Sequence, residues 1–164
     1  MKSLFIFLLI FFSINYSYAG FRYLKIGIDG LTCSACSRSV EMKLRKLSFI
    51  YSVEMDLENT EGKIILKESE TIRLDEICSA VKDAGFSIRF LKAELTDPIT
   101  TKEKCFEIDH IQFQLLSYDS SKFIQIIHPC FLSKKEWKKY KIIDTKSDCF
   151  QTEFKLYLIH VDEI

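Results

Sequence analysis

Apolar and polar residues alternate from Phe21 to Ile28, with Leu24, Ile26 and Ile28 set against Tyr23, Lys25 and Gly27. That two-residue period is the pattern of a strand with one buried face. Asp29-Gly30 then turns the chain, and from about Ser34 the period lengthens. Val40, Leu44 and Leu47 fall one helical turn apart, while Arg38, Glu41, Lys43, Arg45 and Lys46 fill the other side, which predicts an amphipathic helix. Tyr51, Val53, Met55 and Leu57 alternate again, Asn59 to Gly62 supplies turn residues, and Ile64 and Leu66 mark a returning strand, so a hairpin is expected. Leu74, Ile77, Cys78, Val81 and Ala84 make the stripe of a second helix that opens on Asp75 and Glu76 and stops at Gly85. A strand from Phe86 to about Leu91 closes the unit.

The order strand, helix, strand, strand, helix, strand predicts two interleaved βαβ halves. They form an α+β ferredoxin-like βαββαβ sandwich, an antiparallel sheet with both helices on one face. The polar, Pro-containing stretch 96–104 reads as a linker. Beyond it, Ile111, Phe113 and Leu115 alternate, Phe123 to His128 is β-like, Ser133 and Glu136 form a capping box before a short basic helix to Tyr140, and Phe154 to Val161 reads as a strand. The domain plan is therefore 20–95, a linker at 96–104, and a smaller α+β region at 105–164.

The first residues change the picture of location. Met1-Lys2-Ser3, an apolar run from Leu4 to Phe12 and the small-residue ending Ser17-Tyr18-Ala19 have the layout of a cleaved secretory signal over 1–19. The apolar run falls short of the roughly 20 residues that cross a bilayer. An exported protein, periplasmic or secreted and without a stable membrane anchor after cleavage, is expected, with an uncleaved anchor as the alternative. The whole chain has 23 basic and 23 acidic residues; losing Lys2 leaves 22 against 23, a net charge of −1. That balance disfavours nucleic acid as a partner, since such binders carry a basic field.

Six cysteines in a small exported chain suggest disulfides. Cys33 and Cys36, however, stand three apart where the first strand hands over to the first helix, and that placement favours chemistry over stapling. Backbone N–H groups at a helix start lack intrahelical acceptors, so a neighbouring thiol ionises more easily. Cys78 lies on a helix stripe, where cysteine ordinarily fills core. Cys105, Cys130 and Cys149 could pair as 105–130, 105–149 or 130–149, leaving one cysteine free or bonded elsewhere. His128-Pro129-Cys130 could seed a second metal site with Cys105, Cys149 or His160, although the spacing fits no standard ligand set. His110 and His160 sit in strand patterns as ordinary residues. Lys134, Lys135, Lys138, Lys139 and Lys141 read as a solvated helix face that could meet an acidic partner or anionic lipid.

The segment Ile28-Asp29-Gly30-Leu31-Thr32-Cys33-Ser34-Ala35-Cys36 resembles the metal loop of the heavy-metal-associated domain family. This family includes small copper chaperones, modules of metal-pumping ATPases and the periplasmic mercury-binding protein, the last being nearest in layout. Ser52 to Leu57 is similar to the family's second strand, and Val81 to Phe86 to its helix-to-strand corner. Leu31 departs from the usual Met. By resemblance, Phe86 packs beside the metal loop. The resemblance covers about Tyr23 to Ala93 and implies metal ligands at Cys33 and Cys36, no catalytic residues, and a metal-transporting membrane ATPase or another carrier as partner.

Two soft sulfurs on a loop suit Cu(I) first, then Hg(II); Zn(II) prefers four ligands and would need help from elsewhere. The expected function is a metallochaperone or metal scavenger, not an enzyme, that passes its ion by thiolate ligand exchange. A thiol-disulfide exchange protein using Cys33 and Cys36 is an alternative, weakened because Thr32 stands where a thioredoxin-type pair carries an aromatic residue. A plain local disulfide between the two is a second alternative. An adaptor whose C-terminal region binds the partner is another. Outside the cytosol the pair can oxidise, and an oxidised pair cannot bind metal.

Overall fold

The computed structural model describes residues 20–68, 70–99, 103–117, 121–140, 149 and 156–160. The segment 1–19 read as a signal, Lys141 and both ends of the final strand pattern lie outside the described residues. The elements are β1 (Phe21–Asp29), α1 (Ser34–Leu44), β2 (Ile50–Asp56), β3 (Glu61–Leu66), α2 (Leu74–Asp83), β4 (Ser87–Leu95), β5 (Cys105–Ile108), β6 (Ile111–Leu115), β7 (Phe123–Ile127), α3 (Lys134–Tyr140) and β8 (Leu156–His160).

The strands form one eight-stranded sheet in the order β2-β3-β1-β4-β7-β8-β6-β5. Its first four strands have the ferredoxin-like order, with β1 antiparallel to both β3 and β4. The interleaving follows from the two helical crossovers, each of which must return over the same face. Leu24, Ile26 and Ile28 of β1 are fully buried beneath Val40 and Leu44 of α1 and Ile77 and Val81 of α2, all in one apolar cluster. Gly27 points to the opposite face, where a Cβ would run into the ring of Phe90; the absent side chain makes room for that ring.

The sheet does not stop at β4. That strand runs to Leu95, longer than its apolar pattern alone indicated, and pairs antiparallel with β7 through Leu91–Ile126 and Ala93–Ile124. The stretch read as a linker therefore connects two parts of one sheet, and Ile124, Phe113, Phe131 and Leu156 join the same buried cluster as β1 and the helices. β6 and β8 run parallel, and β5, which was not read from the sequence, pairs with β6.

The sheet also coils. β1 and β6 stand four strand spacings apart, which would be roughly 19 Å on a flat sheet. Yet the rings of Phe21 and Phe113 meet edge-on at 6.1 Å between centroids, so the hairpin of β5 and β6 returns to the start of β1. α3 lies on the other side. Ile126 belongs to the main core, its neighbour Ile127 must face the opposite way, and Ile127 and Leu132 pack with Trp137 and Tyr140 in a second small cluster. The capping box closes as its sequence indicates: Ser133 Oγ accepts from the Glu136 N–H at 3.3 Å and donates to Glu136 Oε2 at 3.0 Å.

Two disulfides staple this arrangement. Cys78 is bonded to Cys130, with Cα atoms 6.1 Å apart, which corrects its reading as plain core filler. A helix-stripe cysteine is buried either way, and only the arrival of the loop after β7 supplies its partner. Cys105 bonds Cys149, the 105–149 alternative, and Cys130 is the cysteine that looks elsewhere. His128 Nδ1 accepts from the Cys130 N–H at 3.1 Å, and the imidazole lies tilted against Phe131, with ring centroids 5.7 Å apart. Burial, with a smaller contribution from the Lys82 charge, pushes its pKa down from 6.5 to about 4. The unfolded chain therefore takes up a proton that the native state refuses. The stability tied to neutral His128 is complete above pH 6.5 and is lost progressively as the pH falls towards 4. Denaturant midpoints measured from pH 7 to 4 should fall less steeply for His128→Gln than for the unaltered protein; equal slopes would refute the assignment.

Candidate metal centre

The cysteine loop sits at one end of the sheet, where three turns meet. β1 ends by donating the Ile28 N–H to the Thr60 carbonyl at 3.0 Å. Gly30 then adopts φ +86°, a left-handed value that costs glycine little, and the Thr32 N–H closes a tight turn onto the Gly30 carbonyl at 2.9 Å. Leu31, only 2 % exposed, anchors the loop in the core.

Cys33 is the N-cap of α1. Its backbone is extended (φ −144°, ψ 157°) and its sulfur accepts from the Cys36 N–H at 3.2 Å. No acidic residue occupies the first turn of α1, so no carboxylate offsets the partial positive charge of the helix start. Cys33, Ser34 and Ala35 are exposed and Cys36 is half-buried. The two cysteines are joined as a disulfide, with Cα atoms 5.3 Å apart. The pair thus sits at the surface, Cys33 at the N-cap and Cys36 in the first turn of α1, with the Cys33 side open to solvent and to a docking protein.

The third turn is the corner after α2. The Phe86 N–H donates to the Val81 carbonyl at 3.1 Å and the Gly85 N–H to that of Lys82 at 2.8 Å. With Gly85 at φ +87°, this is the paired bonding of a Schellman stop. It delivers the half-buried Phe86 ring to within 3.8 Å of where a Cβ on Gly30 would lie, so the ring shields the base of the cysteine loop. Arg89 of β4 ties the end together. Its guanidinium donates to Thr60 Oγ1 at 3.0 Å and to the Asn59 carbonyl at 3.2 Å, and lies 3.8 Å from Asp29. Sequence reading had given Arg89 no role; a lone cation in a strand carries no signal of the turns it will reach.

The other candidate ligands are not brought to this loop. Cys130 is taken by Cys78 and Cys105 by Cys149, and His110 lies 3.3 Å from Glu107 in the turn after β5. The side chain of His160 lies outside the described residues. Among the described residues, no group of three or more His, Cys, Asp or Glu side chains could surround an ion.

A ferredoxin-like fold with a cysteine pair at the mouth of its first helix is a layout able to hold a soft metal ion once the pair is reduced. Residues 25–87 match the model of the heavy-metal-associated domain, so over this segment the family resemblance holds. The chain is 30 % identical over 78 residues to the copper-transporting ATPase RAN1 of Arabidopsis thaliana, covering 48 % of this chain and 8 % of that protein. It is 39 % identical over 67 residues to a copper-transporting ATPase of Helicobacter pylori, covering 41 % of this chain and 9 % of the relative. The match thus spans less than a tenth of these curated relatives. Among solved structures, a copper-binding domain of the P-type ATPase HMA7 aligns at 28 % identity and TM-score 0.38, covering 42 % of this chain and 90 % of that one. Oxidised MerP of Ralstonia metallidurans aligns at 21 % and TM-score 0.37, covering 40 % and 90 %.

Proposed function

We propose that the protein is an exported carrier that, once reduced, binds one soft metal ion between Cys33 and Cys36 and passes it on by thiolate exchange. The observation that carries this reading is the position of the pair: an exposed sulfur capping a helix and a second, half-buried one in that helix's first turn, where no carboxylate neutralises the helix start. Reduction gives two thiolates in a shell open to a third donor. Two soft donors satisfy Cu(I), and also Hg(II), but leave Zn(II) short of ligands. An incoming cysteine of a partner can add as a third ligand before Cys33 or Cys36 departs, so the ion moves without being released to water. No bond of a substrate is made or broken in the process. A metal-transporting membrane ATPase or another thiol carrier is the partner this chemistry fits, and the copper-transporting names of the relatives support Cu(I) as the cargo.

The test is metal analysis of the protein purified anaerobically from its own compartment, with thiols counted after the metal is stripped. One copper per chain and two thiols are expected, the other four cysteines remaining bonded. Metal-free protein with no thiols overturns the carrier reading. The closed Cys33–Cys36 disulfide favours a second reading, thiol-disulfide exchange, which requires turnover of a disulfide substrate by the same pair.

A further inference from the structure

Far from the cysteine loop, the first described residue is held with unusual completeness. The Gly20 N–H donates to Thr96 Oγ1 at 3.0 Å, and the Thr96 N–H donates back to the Gly20 carbonyl at 2.9 Å. The next N–H, of Phe21, donates to Asp109 Oδ2 at 2.9 Å. The other carboxylate oxygen stands over Gly20 itself: a Cβ there would lie 3.2 Å from Asp109 Oδ1. Asp109 is aimed by its own backbone. It and His110 adopt φ +47° and +64° in the turn joining β5 to β6, the left-handed pair of a two-residue hairpin.

Nearby cations are already engaged. Arg22 pairs with Glu94 at 2.7 Å, Lys67 donates to the Ser48 carbonyl at 2.6 Å, and Lys122 donates to the Thr96 carbonyl at 3.1 Å. Among the described residues, Asp109 has no cation beside it at this end of the sheet. Within an uncut chain, position 20 offers one neutral N–H, which Thr96 already takes. A chain that began at Gly20 would offer three protons and a full positive charge at the same atom. The sequence Ser17-Tyr18-Ala19 places a cut at that peptide bond.

We infer that cleavage after Ala19 creates an α-ammonium at Gly20 that Asp109 and Thr96 receive, latching the start of β1 to the β5–β6 turn. The inference rests on the export reading and is independent of the metal site. Hydrolysis of the Ala19–Gly20 peptide gives the Ala19 carboxylate, which leaves with the segment 1–19, and the Gly20 amine, which takes up a proton. A bond between two oppositely charged groups then joins the hydrogen bonds already present. The latch ties together β1, β4 and the far hairpin, and so closes the coil of the sheet.

The test begins with the intact mass of protein purified from exporting cells, which should correspond to a chain starting at Gly20. Its unfolding by denaturant is then compared with that of a chain that retains Ala19, which displaces the ammonium by one residue. Retention of Ala19 should lower the folding constant about two- to five-fold, the range of a partly exposed ion pair. In Asp109→Asn, which keeps an oxygen for the Phe21 N–H, the Ala19 penalty should vanish. In the unaltered background it should shrink as salt is raised to about 1 M, an arm that needs no substitution to fold. A different first residue overturns the cleavage step. A penalty that persists in Asp109→Asn and ignores salt overturns the latch. Neither result depends on metal uptake.

Discussion

Cys33→Ser/Cys36→Ser protein, treated with reductant, is expected to take up no Cu(I) in a competition titration in which the unaltered protein binds one equivalent. Serine is the informative replacement because it preserves shape and is a good N-cap. The bond now made by the Cys33 sulfur to the Cys36 N–H passes to a hydroxyl, so α1 keeps its start. What is lost is the donor: a hydroxyl does not ionise near neutral pH and is too hard to hold a soft ion. Each single variant should also fail to bind tightly, since two-coordinate Cu(I) needs both sulfurs. The oxidised wild type should match the double variant, because a disulfide sulfur has no thiolate to offer. If the double variant retains the equivalent of copper, the site lies elsewhere.

Replacing Cys78 and Cys130 together by Ala is expected to produce the largest loss of stability. The bridge joins α2 to the loop after β7 across 52 residues. By the chain-entropy estimate a closed loop of that size stabilises the fold by about 4 kcal/mol, within the usual range of roughly 2–5 kcal/mol for native disulfides. Cys78 is only 6 % exposed, so the shortened side chain adds a small packing loss. The denaturant midpoint should drop accordingly while copper uptake at the distant loop persists. An unfolding free energy within about 0.5 kcal/mol of the original would show that the shared sheet and core hold the two parts together without the bridge.

The βαββαβ part was legible because each of its elements announces itself locally. The alternation of Leu24, Ile26 and Ile28, the stripe of Ile77 and Val81, and the stop at Gly85 all depend on near neighbours, and the cysteine loop follows from where β1 ends. What was not legible depends on distant partners. The four residues of β5 are too short to show a period. Leu91 to Leu95 alternates, but only β7 makes it a continued strand, so a segment that reads as polar linker proved to join two parts of one sheet. Cys78 has the same local surroundings whether bonded or free. The pairing of Cys130 with it depends on the curvature of the whole sheet, which no window of sequence contains.

Continuation of the sheet past β4 alters how this protein meets its neighbours in a crowded compartment. A four-stranded sheet of this order ends in β2 and β4, and both margins invite strand addition and aggregation. Here β7 occupies one of them. The two margins left are guarded: β2 is irregular between Ile50 and Ser52, and β5 begins at a cysteine strapped to Cys149. The same pairing means that severing the chain between β4 and β5 would uncover a raw strand edge and leave Cys78 unbonded, so the metal-loop half should prove sticky when expressed alone.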